Sequence, residues 1–337
     1  MALSETSTVA LTSCEGLPGA YILYELLQRG CRVRVPVLAS ITMERLQGLW
    51  KAVYGSSPNT ENIHWLEGSL QDWETCEAFV EGADSLILAP DLFVLSMKAD
   101  RHDMNMFLQL ISRLVDMSLG SAPLQKLVYI SSTAAFSRAE PEVEITKRLP
   151  WKDHRNNTFF NKALMKAELE IWRGNAEGLK TGILHSGYMI GYSSWPNFLD
   201  VITTYEGPLK GRHGFVDVRD VARAAVQLLD SDHSGIQEFL IAESLSFETL
   251  RRIARENYSG VFANTISGSN SLRERGWLRW FRLSYGEVSP FLVQDFGMSL
   301  SFRNEDVTSG IQLEYTDIED SLSFFAGVVR QIHSLNN

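Results

Sequence analysis

The sequence predicts an α/β protein: a doubly wound parallel sheet with a smaller, mostly helical C-terminal cap. Three observations predict it. Short apolar runs alternate with helical patterns along the chain as far as about Ser186, and strands apolar on both faces belong in a parallel sheet covered by helices on each side. Beyond that point the alternation breaks down into helical and irregular stretches, as expected for a cap beside the sheet. A chain of 337 residues, 45% of them hydrophobic, is long enough to bury an ample core.

Each element has its own signal. Thr8–Thr12 (TVALT) reads as a strand, and Gly19–Gln28 as a helix with apolar Ile22, Leu23, Leu26 and Leu27. Val33–Leu38 is a second strand, Ile41–Tyr54 a helix and Ile63–Leu66 a third strand. Leu70–Val80 is helical, and Ser85–Ala89 (SLILA) is an apolar strand. His102–Leu119 is a long helix and Lys126–Ser131 (KLVYIS) a fifth strand. Thr158–Glu177 is another helix, Thr181–His185 (TGILH) a strand, Val218–Asp230 a helix and Glu238–Ala242 (EFLIA) a last strand. The core is expected over residues 1–186 and 214–242, and the cap over 187–213 and 243–337, with Trp277, Trp280 and Phe281 close together in it. Ligands of such folds sit beyond the carboxyl ends of the strands, between core and cap.

Composition excludes several functions. A formal net charge of −10 argues against a nucleic-acid partner, which needs a basic face. The arginine groups Arg251, Arg252, Arg255 and Arg273, Arg275, Arg279, Arg282 read as solvated helix faces. The N-terminal residues have neither the basic region nor the apolar run of a signal peptide, and no stretch reaches the ~18 apolar residues of a membrane span. Cys14, Cys31 and Cys76 form neither a disulfide framework nor a zinc motif, and the seven histidines lack metal-ligand spacing. A reduced cytoplasmic compartment is the simplest expectation.

Four segments carry a resemblance: Thr12–Gly19 (TSCEGLPG), Lys126–Phe136 (KLVYISSTAAF), Ser186–Gly191 (SGYMIG) and Gly214–Leu229 (GFVDVRDVARAAVQLL). Over about residues 7–250 the chain resembles an extended short-chain dehydrogenase/reductase of the NAD-dependent epimerase/dehydratase type, which implies a Rossmann-like core and, in an ordinary member, bound NAD or NADP. In that family the loop after the first strand carries three glycines, for the tight turn, the approach to the pyrophosphate and helix packing. Gly16 and Gly19 match the second and third, and Ser13 stands in place of the first. Thr12, Ser13, Gly16 and Gly19 are the cofactor-binding positions if binding is retained. Glu15 sets a carboxylate in the same loop, where each like-charge pair with a diphosphate costs on the order of 3 kcal/mol at about 5 Å and an effective dielectric of about 20. A plain strand–turn–helix, with Pro18 as a first-turn residue, explains these residues without a ligand.

Other positions depart too. Val35–Ser40 is uncharged where the family often holds the ribose or its phosphate, and Ser69 replaces an aspartate, leaving Asp72. Leu86–Pro90 and Asn105–Leu110 have lost further family motif residues. Of the family's Ser/Thr, Tyr and Lys, Thr133 matches the first, with Ser132 beside it. Two registers fit the Tyr-x-x-x-Lys helix. One sets Phe160 and Leu164 at the two positions, the other Lys162 and Lys166; neither has a tyrosine. Phe160, Leu164, Ala167 and Ile171 share a helical stripe, while Lys162, Lys166 and Glu170 share another, which favours the first register.

Tyr188 is a candidate replacement for the missing tyrosine, against a core or rim tyrosine. His185, expected at the rim of a strand end, is a candidate general base, against a structural histidine. His102, Asp103 and His213 carry weaker signals. Three functions follow: a family-like protein without NAD(P) hydride chemistry that acts as a binding or partner subunit; a cofactor-free isomerase or lyase using Thr133, Ser132, His185 and Tyr188; or an atypical NAD(P)-dependent oxidoreductase or epimerase. The resemblance also implies a homodimer, or a heterodimer with a relative, through the helices at 102–119 and 158–177.

Overall fold

The computed structural model describes residues 3, 6–14, 16–37, 43–98, 100–121, 124–136, 142–145, 157–193, 198–205, 207–258, 290–302 and 311–335. Glu15, the Arg273–Arg282 group and Trp277, Trp280 and Phe281 lie outside them.

Seven parallel strands form the main sheet: β1 (Thr8–Leu11), β2 (Arg32–Val37), β3 (Ile63–Glu67), β4 (Ser85–Leu88), β5 (Lys126–Ser132), β7 (Lys180–Ser186) and β10 (Ile236–Leu240). Their order is β10-β7-β5-β4-β1-β2-β3. The central strands are apolar on both faces, and Val9, Ala10, Leu86, Ile87, Val128 and Ile130 are all fully buried. Helices therefore cover both sides. On one face α1 (Gly19–Gln28) packs beside α8 (Val218–Asp230). On the other, α5 (Arg101–Gly120) lies between α3 (Trp73–Val80) and α6 (Phe159–Ala176).

Basic residues within these strands have a local explanation. Arg34 in β2 donates to the carbonyls of Ala78, Phe79 and Glu81 at the C-terminus of α3, and Lys126 in β5 donates to those of Leu228 and Ser231 at the end of α8. Each cation satisfies carbonyls that the helix leaves unbonded and opposes the helix dipole.

The strand order reverses its winding between β1 and β4, so the crevice for a ligand opens at their carboxyl ends. Beyond Ser186 the chain does more than form helices. A five-stranded second sheet joins β6 (Glu142–Ile145), β8 (Tyr188–Ile190), β9 (Arg212–Asp217), β11 (Glu243–Ser246) and β12 (Ser299–Phe302). With it come α7 (Phe198–Thr204), α9 (Phe247–Asn257), α10 (Pro290–Phe296) and α11 (Ile318–Leu335). The remaining helices, α2 (Met43–Tyr54) and α4 (Leu92–Lys98), follow β2 and β4.

The Gly214–Leu229 motif fastens the C-terminal helix to the core. Buried Asp217 accepts from the Ser321 hydroxyl at 2.8 Å and pairs with Arg219, which lies over the Phe324 ring at 4.1 Å. Buried Asp220 accepts from the Thr316 amide at 2.7 Å. Arg251 and Arg255 of α9 are not merely solvated: they donate to the carbonyls of Tyr205 and Thr203 at the end of α7. No helix of the described residues is long and apolar enough to cross a membrane.

Candidate functional site

Thr12 ends β1 by clasping β4: its amide donates to Ile87 at 3.1 Å, and its hydroxyl accepts from Ala89 at 2.9 Å. The loop then folds back so tightly that a Cβ on Gly19 would lie 2.0 Å from the Ser13 carbonyl oxygen. Only glycine fits there, whether or not a ligand binds. Helix α1 begins with Tyr21 and Ile22 donating to the Pro18 carbonyl. Proline has no N–H, so of the two residues between Gly16 and Gly19 only Leu17 can offer one to an anion.

Gly16 is also crowded. A Cβ built on it would lie 1.9 Å from Oδ2 of Asp91, three residues beyond the end of β4 and just before α4. Asp91 is held there by its own helix turn, where Oδ1 accepts from the Val94 amide at 3.0 Å. A carboxylate is thus seated against the backbone that the family resemblance assigns to a diphosphate. Burial pushes its pKa up to about 6.

Beside this loop lies a cleft of about 670 Å³, its mouth included. Leu17, Phe93, Phe160, Met189, Phe198 and Phe291 give it apolar walls, and Asp91, Ser132, Thr133, Ser186, Tyr188 and Asp295 give it polar ones. Thr133 and Ser132 reach it from the end of β5. Asn161, in the N-terminal capping box of α6, donates to the Ala134 carbonyl at 2.8 Å and fixes that turn. Ser132 accepts from the Ala134 amide at 3.2 Å, whereas the Thr133 hydroxyl makes no hydrogen bond to a described residue.

Tyr188, on β8, donates to Asp295 Oδ2 at 2.5 Å, and His213 Nδ1 stands 3.9 Å from the same oxygen. Asp295, on α10, is only 1% exposed, and the Tyr188 ring packs on Phe198 at 4.2 Å between centroids. A phenol hydrogen-bonded to a buried carboxylate at the cleft wall is a group that can pass a proton. Phe160 lines the cleft edge-on to Phe291 at 4.8 Å, and Leu164 is fully buried. Lys166 is exposed, on the solvated stripe that the sequence gives it.

His185 is corrected. It is fully buried on the far side of the strand end, with ring centroids 4.9 Å from Phe136 and 5.3 Å from Phe239. Its Nε2 lies 3.1 Å from Glu168, which also accepts from Ser131. Successive residues of a strand face opposite ways, so with Ser186 on the cleft His185 points away from it. It is not a general base at this site. Glu168 was detectable in the sequence, as a charge four residues beyond Leu164 on an otherwise apolar stripe. Among the described residues no three His, Cys, Asp or Glu side chains group as a metal site, and Cys14, Cys31 and Cys76 are buried and outside any disulfide.

The sequence matches no family model and no curated protein. Solved structures do match. The UDP-N-acetylglucosamine 4-epimerase of Methanobrevibacter ruminantium aligns at 15% identity over 99% of this chain and 100% of its own, with a TM-score of 0.64. The UDP-glucose 4-epimerase of Thermotoga maritima aligns at 15% identity over 96% and 99%, with a TM-score of 0.65. Vestitone reductase of alfalfa aligns at 17% identity over 76% and 83%, with a TM-score of 0.57. The chain has the Rossmann-like fold of the extended short-chain dehydrogenase/reductases of the NAD-dependent epimerase/dehydratase type.

Proposed function

We propose that this chain is a member of that family that no longer performs NAD(P) hydride transfer and uses the cleft to bind a small molecule as a binding or partner subunit. The observation that carries this is Asp91, whose carboxylate sits against Gly16 where the family's diphosphate would lie. With its pKa raised to about 6, Asp91 leaves a like-charge pair at pH 7 by taking up a proton at a cost of about 1.4 kcal/mol, which lowers affinity about tenfold. Pro18 removes an amide donor from the same loop, and Phe160 and Leu164 remove the proton donor and the lysine. Ser13, at the first glycine position, adds to the loss.

Back-substitution tests the cause. Asp91→Ala combined with Pro18→Ile and Ser13→Gly gives a gain of at least tenfold in NADH affinity by calorimetry. No gain in a folded variant overturns the explanation.

A second reading is favoured by the Tyr188–Asp295 hydrogen bond beside Thr133: cofactor-free acid–base chemistry such as isomerisation or elimination. In it Tyr188 moves the proton and Thr133 and Ser132 orient the substrate. A core of residues 1–186 and 214–242 with its cap over the cleft suits either reading. Pairing of two copies, or with a relative, across α5 and α6 belongs to the proposal; α6 exposes Phe159 and Leu169 by 56% and 51%, which supports it. Three cysteines outside any disulfide suit a reducing cytoplasm.

A further inference from the structure

The cleft has a sign. Asp91 and Asp295 both line it, and no lysine, arginine or histidine does among the described residues. Asp295 is engaged by Tyr188, which leaves Asp91, whose Oδ1 accepts from the Val94 amide and whose Oδ2 stands against Gly16, as the cleft's other negative charge. A second and independent feature points to an occupant. Thr133 is 97% buried by its 3% exposure, yet its hydroxyl makes no hydrogen bond to a described residue and it lines the cleft. A hydroxyl on a cleft wall without a partner among the described residues is satisfied by a ligand or by water. The remaining wall is aromatic, with Phe160, Phe198 and Phe291 each at most 4% exposed.

From this we infer that the cleft takes an organic cation: a primary or secondary ammonium carried on an apolar, ring-bearing body. The inference rests on the reading of the cleft as a ligand site without a dinucleotide. The ammonium meets Asp91, its positive charge is further favoured by ring faces, and the apolar body replaces water along the phenylalanines. Phosphorylated and carboxylated molecules meet charge of their own sign there. A divalent metal ion lacks the three ligating side chains it needs, since no such group occurs among the described residues.

The test is calorimetric titration of the whole chain with four probes: 2-phenylethylammonium, 2-phenylethanol, 3-phenylpropionate and NADH. The ammonium is expected to bind at least tenfold more tightly than the alcohol, and the propionate to give no heat. Asp91→Asn, which keeps the shape and one acceptor, is expected to bring the ammonium down to the affinity of the alcohol. Equal binding of ammonium and alcohol, tighter binding of the propionate, silence from every probe, or an ammonium affinity indifferent to Asp91→Asn each overturn the inference. The comparison of ammonium with alcohol on the unmodified chain stands even if that variant does not fold. NADH binding at micromolar concentration overturns the underlying reading instead. NADH silence with no ammonium preference removes the cation and leaves that reading intact.

Discussion

The two ends of the cleft are built in different ways. At the β1–β4 end backbone packing dominates: Gly19 packs on Ser13, Thr12 clasps β4, and Asp91 sits on Gly16. At the β5–β7 end the cleft carries a polar set, Thr133 and a Tyr188–Asp295 pair, beside the apolar Phe160 of α6. Backbone geometry is retained because packing demands it, and packing is indifferent to the ligand. Ligand chemistry resides in a few side chains, and single substitutions there change it.

The largest expected effect is on the packing that serves the fold alone. Glu168→Ala leaves His185 and Ser131 buried without their shared partner, at a cost of about 1–3 kcal/mol for each of the two in urea unfolding. Ligand binding by the fraction that stays folded is unchanged; loss of binding or turnover without loss of stability would return His185 to the site. Gly19→Ala drives a methyl into the Ser13 carbonyl and is expected to destabilise by more than about 2 kcal/mol. Gly48→Ala sharpens the contrast. In the interior of α2, with nothing within 4 Å of its Cβ, it gains about 0.5–1 kcal/mol.

Asp91 gives the pH prediction. Its pKa is raised from 3.8 to about 6, so the folded state binds its proton more tightly than the unfolded state. The stabilisation is full below pH ~4 and is lost as pH rises through about 6. Asp91→Asn therefore raises stability at pH 7 by up to about 3 kcal/mol and removes this dependence between pH ~4 and ~6. A variant less stable at pH 7, with the pH dependence unaltered, shows that the carboxylate is welcome where it lies. Tyr188→Phe leaves the buried Asp295 short of a donor at a cost of about 1–3 kcal/mol and abolishes any acid–base turnover.

The same contrast decides what the sequence revealed. Strands β1, β4, β5 and β7 are legible because they are apolar on both faces, and the α6 register is legible because Lys162, Lys166 and Glu170 follow one stripe and Phe160 and Leu164 another. The second sheet was missed because its strands run three to six residues and have no such apolar runs; β8 is only Tyr188–Ile190. His185 was misplaced by one step of the strand's two-residue period. Asp295 had no local signal, since it meets Tyr188 across 107 residues of chain. Asp91 was invisible for the same reason. A carboxylate at the phosphate loop was expected from Glu15, next to Gly16 in sequence, whereas the one seen against Gly16 arrives through the pairing of β1 with β4.

One measurement tests the loss of the dinucleotide most directly: calorimetric titration of the unmodified chain with NADH and NADPH, after release and assay of any nucleotide carried through purification. The expected result is no heat, and no protection from thermal unfolding, at millimolar nucleotide. Micromolar binding of either, or a stoichiometric nucleotide in the purified protein, contradicts it and makes this chain an NAD(P)-dependent enzyme with a replacement for its missing tyrosine.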